Sequence, residues 1–268
     1  MAASKLPANR IIGEAFGFVF TNLRPLARAA AVPFAVMTLS MLRMIWARQE
    51  GDMATYAIVL WLIIQFASTV PFQTQVYRFA LGVTPDSMPR LGWPWGQRET
   101  MLVLNAIGLM LVSVTIAAIV VAIVVALAPP SNGMDRNEAL AQFALSFVLI
   151  GIPAMIVALY MSARLGLVLA AAAVGHATNW RLIWRATDGN GWRIVWLMLV
   201  TILPWSAANG VIEMLTGTLT SVPALILLGT VANVVGLIGM AVPAVALGLA
   251  YRHLVLAGGR PPSVSLLA

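Results

Sequence analysis

Two histidines, His176 and His253, are the side chains in this sequence best placed to move a proton near neutral pH. Neither has a second histidine or a carboxylate three or four residues away, the spacing that puts two metal ligands on one helix face. A catalytic histidine also needs an orienting acid and a nucleophile, and Asp188 is the nearest acid in sequence to His176. The chain has no cysteine, which removes thiolate chemistry, disulfides and Cys-ligated metals. Its single lysine, Lys5, lies outside every apolar run, so no Schiff base can form within one. No HExxH, GxSxG or P-loop pattern occurs. The expectation is a protein that is not an enzyme, with no catalytic residue, metal or cofactor.

Binding chemistry is more accessible. The guanidinium fork suits bidentate contact with phosphate. Arg78, Arg164, Arg185, Arg193 and Arg252 all fall beside the ends of apolar runs, where lipid headgroups would lie. They are the candidate headgroup residues, and membrane phospholipids are the expected partners. Gln65, Gln73, Asn105 and Asn209 fall within apolar runs and are candidates for a polar path; the competing role is interhelical hydrogen bonding. Gly229, Asn233, Gly236, Gly239 and Pro243 form a small-residue track that fits packing within the chain, with homo-oligomerisation as the alternative.

The elements that must position these residues follow from composition. Of 268 residues, 61% are hydrophobic and 9% charged, whereas soluble domains run near 45–50% apolar and about 25% charged. Several apolar runs reach the roughly 20 residues that cross a bilayer. The expected fold is an all-α polytopic helical membrane protein with six spans, near Arg28–Trp46, Tyr56–Val76, Met101–Leu127, Leu140–Met161, Ile194–Leu215 and Val222–Ala250. Prolines 33, 71, 153, 204 and 243 fall inside five of them and need not split them. Of the 16 basic residues, 13 fall on the side that holds both termini, leaving Arg43, Arg48 and Arg136 opposite. The positive-inside rule then places both termini in the cytoplasm, in a multi-pass protein of a bacterial inner membrane. The net charge of +7 is accounted for by that bias, and no nucleic-acid partner is expected.

The returning helices share an order of proline, tyrosine and arginine: Pro71, Tyr77, Arg78; Pro153, Tyr160, Arg164; Pro243, Tyr251, Arg252. This points to three diverged hairpin repeats, about 8–85, 86–174 and 175–256, in a single transmembrane domain over 1–257. Residues 258–268 read as a disordered cytoplasmic tail. Two stretches are amphipathic and read as interfacial helices. In RIIGEAFGFVFTNLR the apolar face is Ile12, Phe16, Val19 and Leu23, with Ile11, Ala15 and Phe18 beside it; in HATNWRLIWRATDG it is Trp180, Ile183 and Trp184. The following DGNGWRIVW reads as a corner. Gly189 or Gly191 ends the interfacial helix, Trp192 and Trp196 anchor the next span, and Arg193 reaches the phosphate layer. The apolar stretch 140–174 exceeds one crossing, so the span is set at 140–161 with 165–174 along or below the interface. The other register would bury Arg164, which would then need a partner or a water-filled cavity.

GEAFGFVFTNLRPL, the Arg164-to-Val174 run and RLIWRATDGNGWRI resemble a bacterial integral-membrane family, the glycerophosphoryl diester phosphodiesterase membrane domain and related six-span proteins. The resemblance covers nearly the whole chain. It implies a six-span architecture and a link to membrane lipids. It does not imply hydrolysis, because the soluble phosphodiesterase domain of some relatives has no counterpart in this sequence. The expected function is a non-enzymatic membrane protein that binds or organises lipid or supports envelope proteins. The alternative is a small-molecule transporter or channel built from the three hairpins.

Overall fold

The computed structural model of the chain describes residues 5–50, 55–82, 95–127, 141, 144–145, 147–176, 179–219 and 221–256. Every regular element among them is helical. In chain order these are α1 (Ala8–Thr21), α2 (Leu23–Glu50), α3 (Thr55–Ala80), α4 (Gln97–Leu127), α5 (Ile152–Leu165), α6 (Leu167–Ala173), α7 (Trp180–Ala186), α8 (Gly191–Thr218) and α9 (Val222–Tyr251). A π-helical turn over Phe147–Gly151 leads into α5, and another over Arg252–Leu256 follows α9. Among the described residues, five helical stretches are long and apolar enough to cross a membrane: Leu23–Trp46, Gln97–Ile123, Val148–Ala173, Gly191–Thr218 and Val222–Leu256. The chain is a multi-pass helical membrane protein by this measure. The tail 258–268 and most of the expected outer connections lie outside the described residues.

Helices α2, α3, α8 and α9 run through Pro33, Pro71, Pro204 and Pro243 without ending. Pro153 sits directly after the first π turn. A proline ring collides with the carbonyl four residues earlier in a regular helix, and the wider turn relieves that crowding.

The interior is built around the second half of α9. Every residue from Ala241 to Tyr251 is buried, because α9 is enclosed by α1, α2, α3, α6 and α8. A helix apolar on all sides suits such a position. By contrast α4 turns Leu104, Met110 and Leu111 outward, each more than half exposed, as a lipid-facing helix would. The small-residue track on α9 is used within the chain. Met41 lies over Gly229, Met37 over Gly236 and Trp205 over Gly239, while Asn233 donates to the Thr38 hydroxyl at 3.3 Å.

Two expectations are corrected here. In α1 the buried residues are Ala8, Ile11, Ala15 and Val19, while Leu23 is exposed. Two alanines alternate with Ile11 and Val19 on the inward face, which packs on α8 and α9, while Gly13 and Gly17 face away from the bundle. The second concerns residues 165–174, expected along or below the interface. Residues 167–173 are packed inside the bundle, and the apolar helical stretch Val148–Ala173 includes Arg164. Leu167, Val168 and Ala170 through Ala173 are at most 1% exposed, packed between α3, α4 and α9.

Candidate functional site

The side chains that build the corner are concentrated where α7 meets α8. Asn179 caps α7, its side-chain oxygen accepting from the amides of Arg181 and Leu182. As the periodicity predicts, Ile183 is buried and Trp180 and Trp184 are half-buried, whereas Arg181, Arg185 and Asp188 are exposed. Gly189 takes the left-handed conformation, φ 71°, that turns the chain after α7. Gly191 has a different role. It is the first residue of α8, and a Cβ there would overlap the Tyr160 ring, 2.6 Å from Cζ.

Arg164 fills the space behind this corner. It is 4% exposed. Its Nε donates to the Thr187 hydroxyl at 2.9 Å, Nη1 to the Tyr160 hydroxyl at 3.1 Å and Nη2 to the Trp184 carbonyl at 2.5 Å. The guanidinium carbon lies 3.7 Å from the Trp184 ring centroid and 5.5 Å from that of Tyr160. Arg164 is thus buried together with its partners, and the cation joins α5 to the α7–α8 turn.

The other candidate arginines are dispersed around the same end of the bundle. Arg78 is half-buried near Arg98 and Glu99, with its Nε unpartnered. Arg185 and Arg252 are exposed. Arg193 donates to the Leu6 carbonyl at 3.1 Å, a contact with the N-terminal segment that its sequence position does not signal. Nearby, the Asn190 side chain accepts from the Leu6 amide at 2.8 Å, and Trp196 donates to Asn9 at 3.1 Å. Arg164 is the member of the five that faces inward.

These N-terminal contacts frame an open cleft of about 570 Å³ lined by Leu6, Pro7, Arg10, Trp192, Arg193 and Trp196, among others. Trp192 is 62% exposed and Trp196 53% exposed, so both rings present apolar surface beside two cations. Arg10 is paired with Glu14 at 2.7 Å. Among the described residues Arg193 commits one N–H, to Leu6.

Of the polar-path candidates, Asn105 is buried and engaged at both ends. Its amide donates to the Met101 carbonyl at 2.7 Å, and its oxygen accepts from Trp180 at 3.0 Å, fastening α7 to α4. Gln65, Gln73 and Asn209 are half-buried. None of the four lines this cleft.

His176 Nδ1 lies 2.9 Å from the Tyr251 hydroxyl. Burial pushes the His176 pKa below its ordinary value. The unfolded chain therefore binds more protons than the folded one over this range, and stability rises with pH. That contribution is complete above about pH 6.5 and is lost as pH falls through the lowered folded-state pKa. The thermal midpoint in mild detergent is expected to drop as pH falls below about 6.5, and His176→Gln to flatten the drop. An unchanged slope in the variant would place the titration elsewhere. Among the described residues no three His, Asp or Glu side chains converge as a metal site. No protein family, curated protein or solved structure matches the chain.

Proposed function

We propose that the chain is a non-enzymatic integral membrane protein of the bacterial inner membrane that binds or organises phospholipid, or supports envelope proteins through it. In this reading α3 is a sixth span, the spans pair as three hairpins, and both termini are cytoplasmic. The recurrent Pro–Tyr–Arg order and the 13-to-3 split of basic residues support that topology. The resemblance to the glycerophosphoryl diester phosphodiesterase membrane domain supports the link to lipid. The single observation that carries the function is the cleft of Arg10, Trp192, Arg193 and Trp196. Tryptophan favours the level of the headgroups, and the guanidinium fork matches a phosphate. Arg78, Arg185 and Arg252 are further headgroup contacts around the same end.

Native mass spectrometry of the detergent-purified protein tests the proposal and reports oligomeric state at once. Retained anionic phospholipid, reduced about tenfold in affinity by Arg193→Gln together with Arg10→Gln, is the expected result; that loss equals about 1.4 kcal/mol. A protein carrying no lipid, or lipid unaffected by the substitutions, would overturn the assignment.

A further inference from the structure

A second cavity, of about 470 Å³, lies between the start of α2, the end of α1 and the middle of α9. Its size is within the roughly 300–1,000 Å³ of small-molecule sites. Its lining is apolar, with Leu23, Ala27, Ala31 and Phe34 on α2 facing Val234 and Ile238 on α9. The alanines create it, because larger side chains at these positions would let α2 and α9 meet as they do further along. There Met37 lies over Gly236, Met41 over Gly229, and Asn233 bonds Thr38, which closes the deep end. From Leu23 to Phe34 is eleven residue steps, about 16 Å of helix. That is about half of a hydrocarbon core roughly 30 Å thick, the depth of one leaflet.

The shallow end carries charge. Arg24 and Arg28 are exposed and lie one turn apart, each three residues from a lining alanine and therefore on a neighbouring strip of α2. Neither has an ion pair among the described residues. A groove as deep as a leaflet and apolar along its length, with the Arg24 cation at its mouth and Arg28 one turn further in, matches the shape and charge order of one lipid molecule.

We infer that the groove between α2 and α9 holds an acyl chain of an anionic phospholipid whose phosphate is bound by Arg24 and Arg28. This rests on the reading of the protein as lipid-binding, but it uses a site separate from the tryptophan cleft. The long stems of both arginines run along apolar surface while their guanidinium groups reach the phosphate level.

The test is photolabelling in nanodiscs, using phosphatidylglycerol with a mid-chain diazirine and mass-spectrometric mapping of the adducts. Labelling at Ala27, Ala31, Val234 and Ile238 is expected to exceed that on the lipid-facing α4 residues Leu104 and Met110 by about tenfold, the ratio of a 1.4 kcal/mol preference. Ala27→Phe with Ala31→Phe fills the groove from exposed positions, so the fold should persist, and should remove the excess while α4 labelling remains. Arg24→Gln with Arg28→Gln should erase the preference over a phosphatidylcholine probe. Equal labelling of groove and α4 in the unmodified protein, or an excess that survives filling, overturns the inference. So do α2-to-α2 cross-links between two copies, which would assign the groove to a second protomer. Groove labelling that persists in Arg10→Gln and Arg193→Gln proteins whose native spectra show no effect on lipid retention would fault the tryptophan cleft alone.

Discussion

Replacing Arg164 by Met is expected to lower stability by about 3 kcal/mol, read as an earlier thermal midpoint in mild detergent. The side chain is of similar length and apolar, so the loss is chiefly of the charge and its bonds. The Trp184 carbonyl and Thr187 hydroxyl lose their charged donor and keep only the bonds of the Thr187 hydroxyl to the Ile183 and Trp184 carbonyls; a hydrogen bond to a charged group contributes about 1.5–3 kcal/mol. The cation also leaves the face of Trp184, an interaction worth up to about 2 kcal/mol when desolvated. Arg164→Lys should recover less than half of the loss. An ammonium is not planar and cannot meet three acceptors on two helices in the fixed fork geometry. A Met variant that melts with the unmodified protein would mean that the network carries no net stability.

The second large effect is expected at Gly191. Gly191→Ala places a Cβ within the space of the Tyr160 ring, and that ring is itself held by Arg164 and by its contact with Trp192, centroid to centroid 5.2 Å. A rigid neighbour cannot yield as a methionine tail would. Overpacking of this kind costs about 1–3 kcal/mol. The control is a double-mutant cycle with Tyr160→Ala, which removes the obstacle. The combined loss should fall short of the sum of the single losses by at least about 1 kcal/mol. Additive losses would show that the damage at Gly191 does not pass through Tyr160.

Where the sequence could be read, the signal was periodicity against a polar background. Trp180, Ile183 and Trp184 alternate with Arg181 and Arg185, so the inward face of α7 is visible in the sequence. The same method chose a displaced face for α1. In a membrane, large apolar side chains face lipid as comfortably as they face protein, and close helix contact selects alanine and glycine instead. Ala8 and Ala15 therefore took the interior while Phe20 stayed half exposed. Arg164 shows another limit. Its burial depended on Thr187 and Trp184, about twenty residues away, and a run of apolar residues on both sides concealed the register. The N-terminal clamp was hidden for the same reason, since Leu6 and Asn190 are 184 residues apart and neither is unusual locally. The tryptophan-rich corner was legible as a corner, but Gly191 looked like a turn residue when its role is to make room for a ring.

The enclosed half of α9 has a kinetic consequence. It is the surface on which α1, α2, α3, α6 and α8 converge, and it is synthesised after all of them. At about 5–20 residues per second, α1 waits roughly 10–50 s for α9, on which it packs. Insertion of the earlier helices and assembly of the interior are thus separate events. The second is governed by contacts between distant parts of the chain, which close slowly. A ribosome that stalls shortly before Ala241 would leave a chain already embedded in the bilayer with its small-residue faces unpaired, the form most exposed to mispairing with neighbouring helices and to membrane proteolysis.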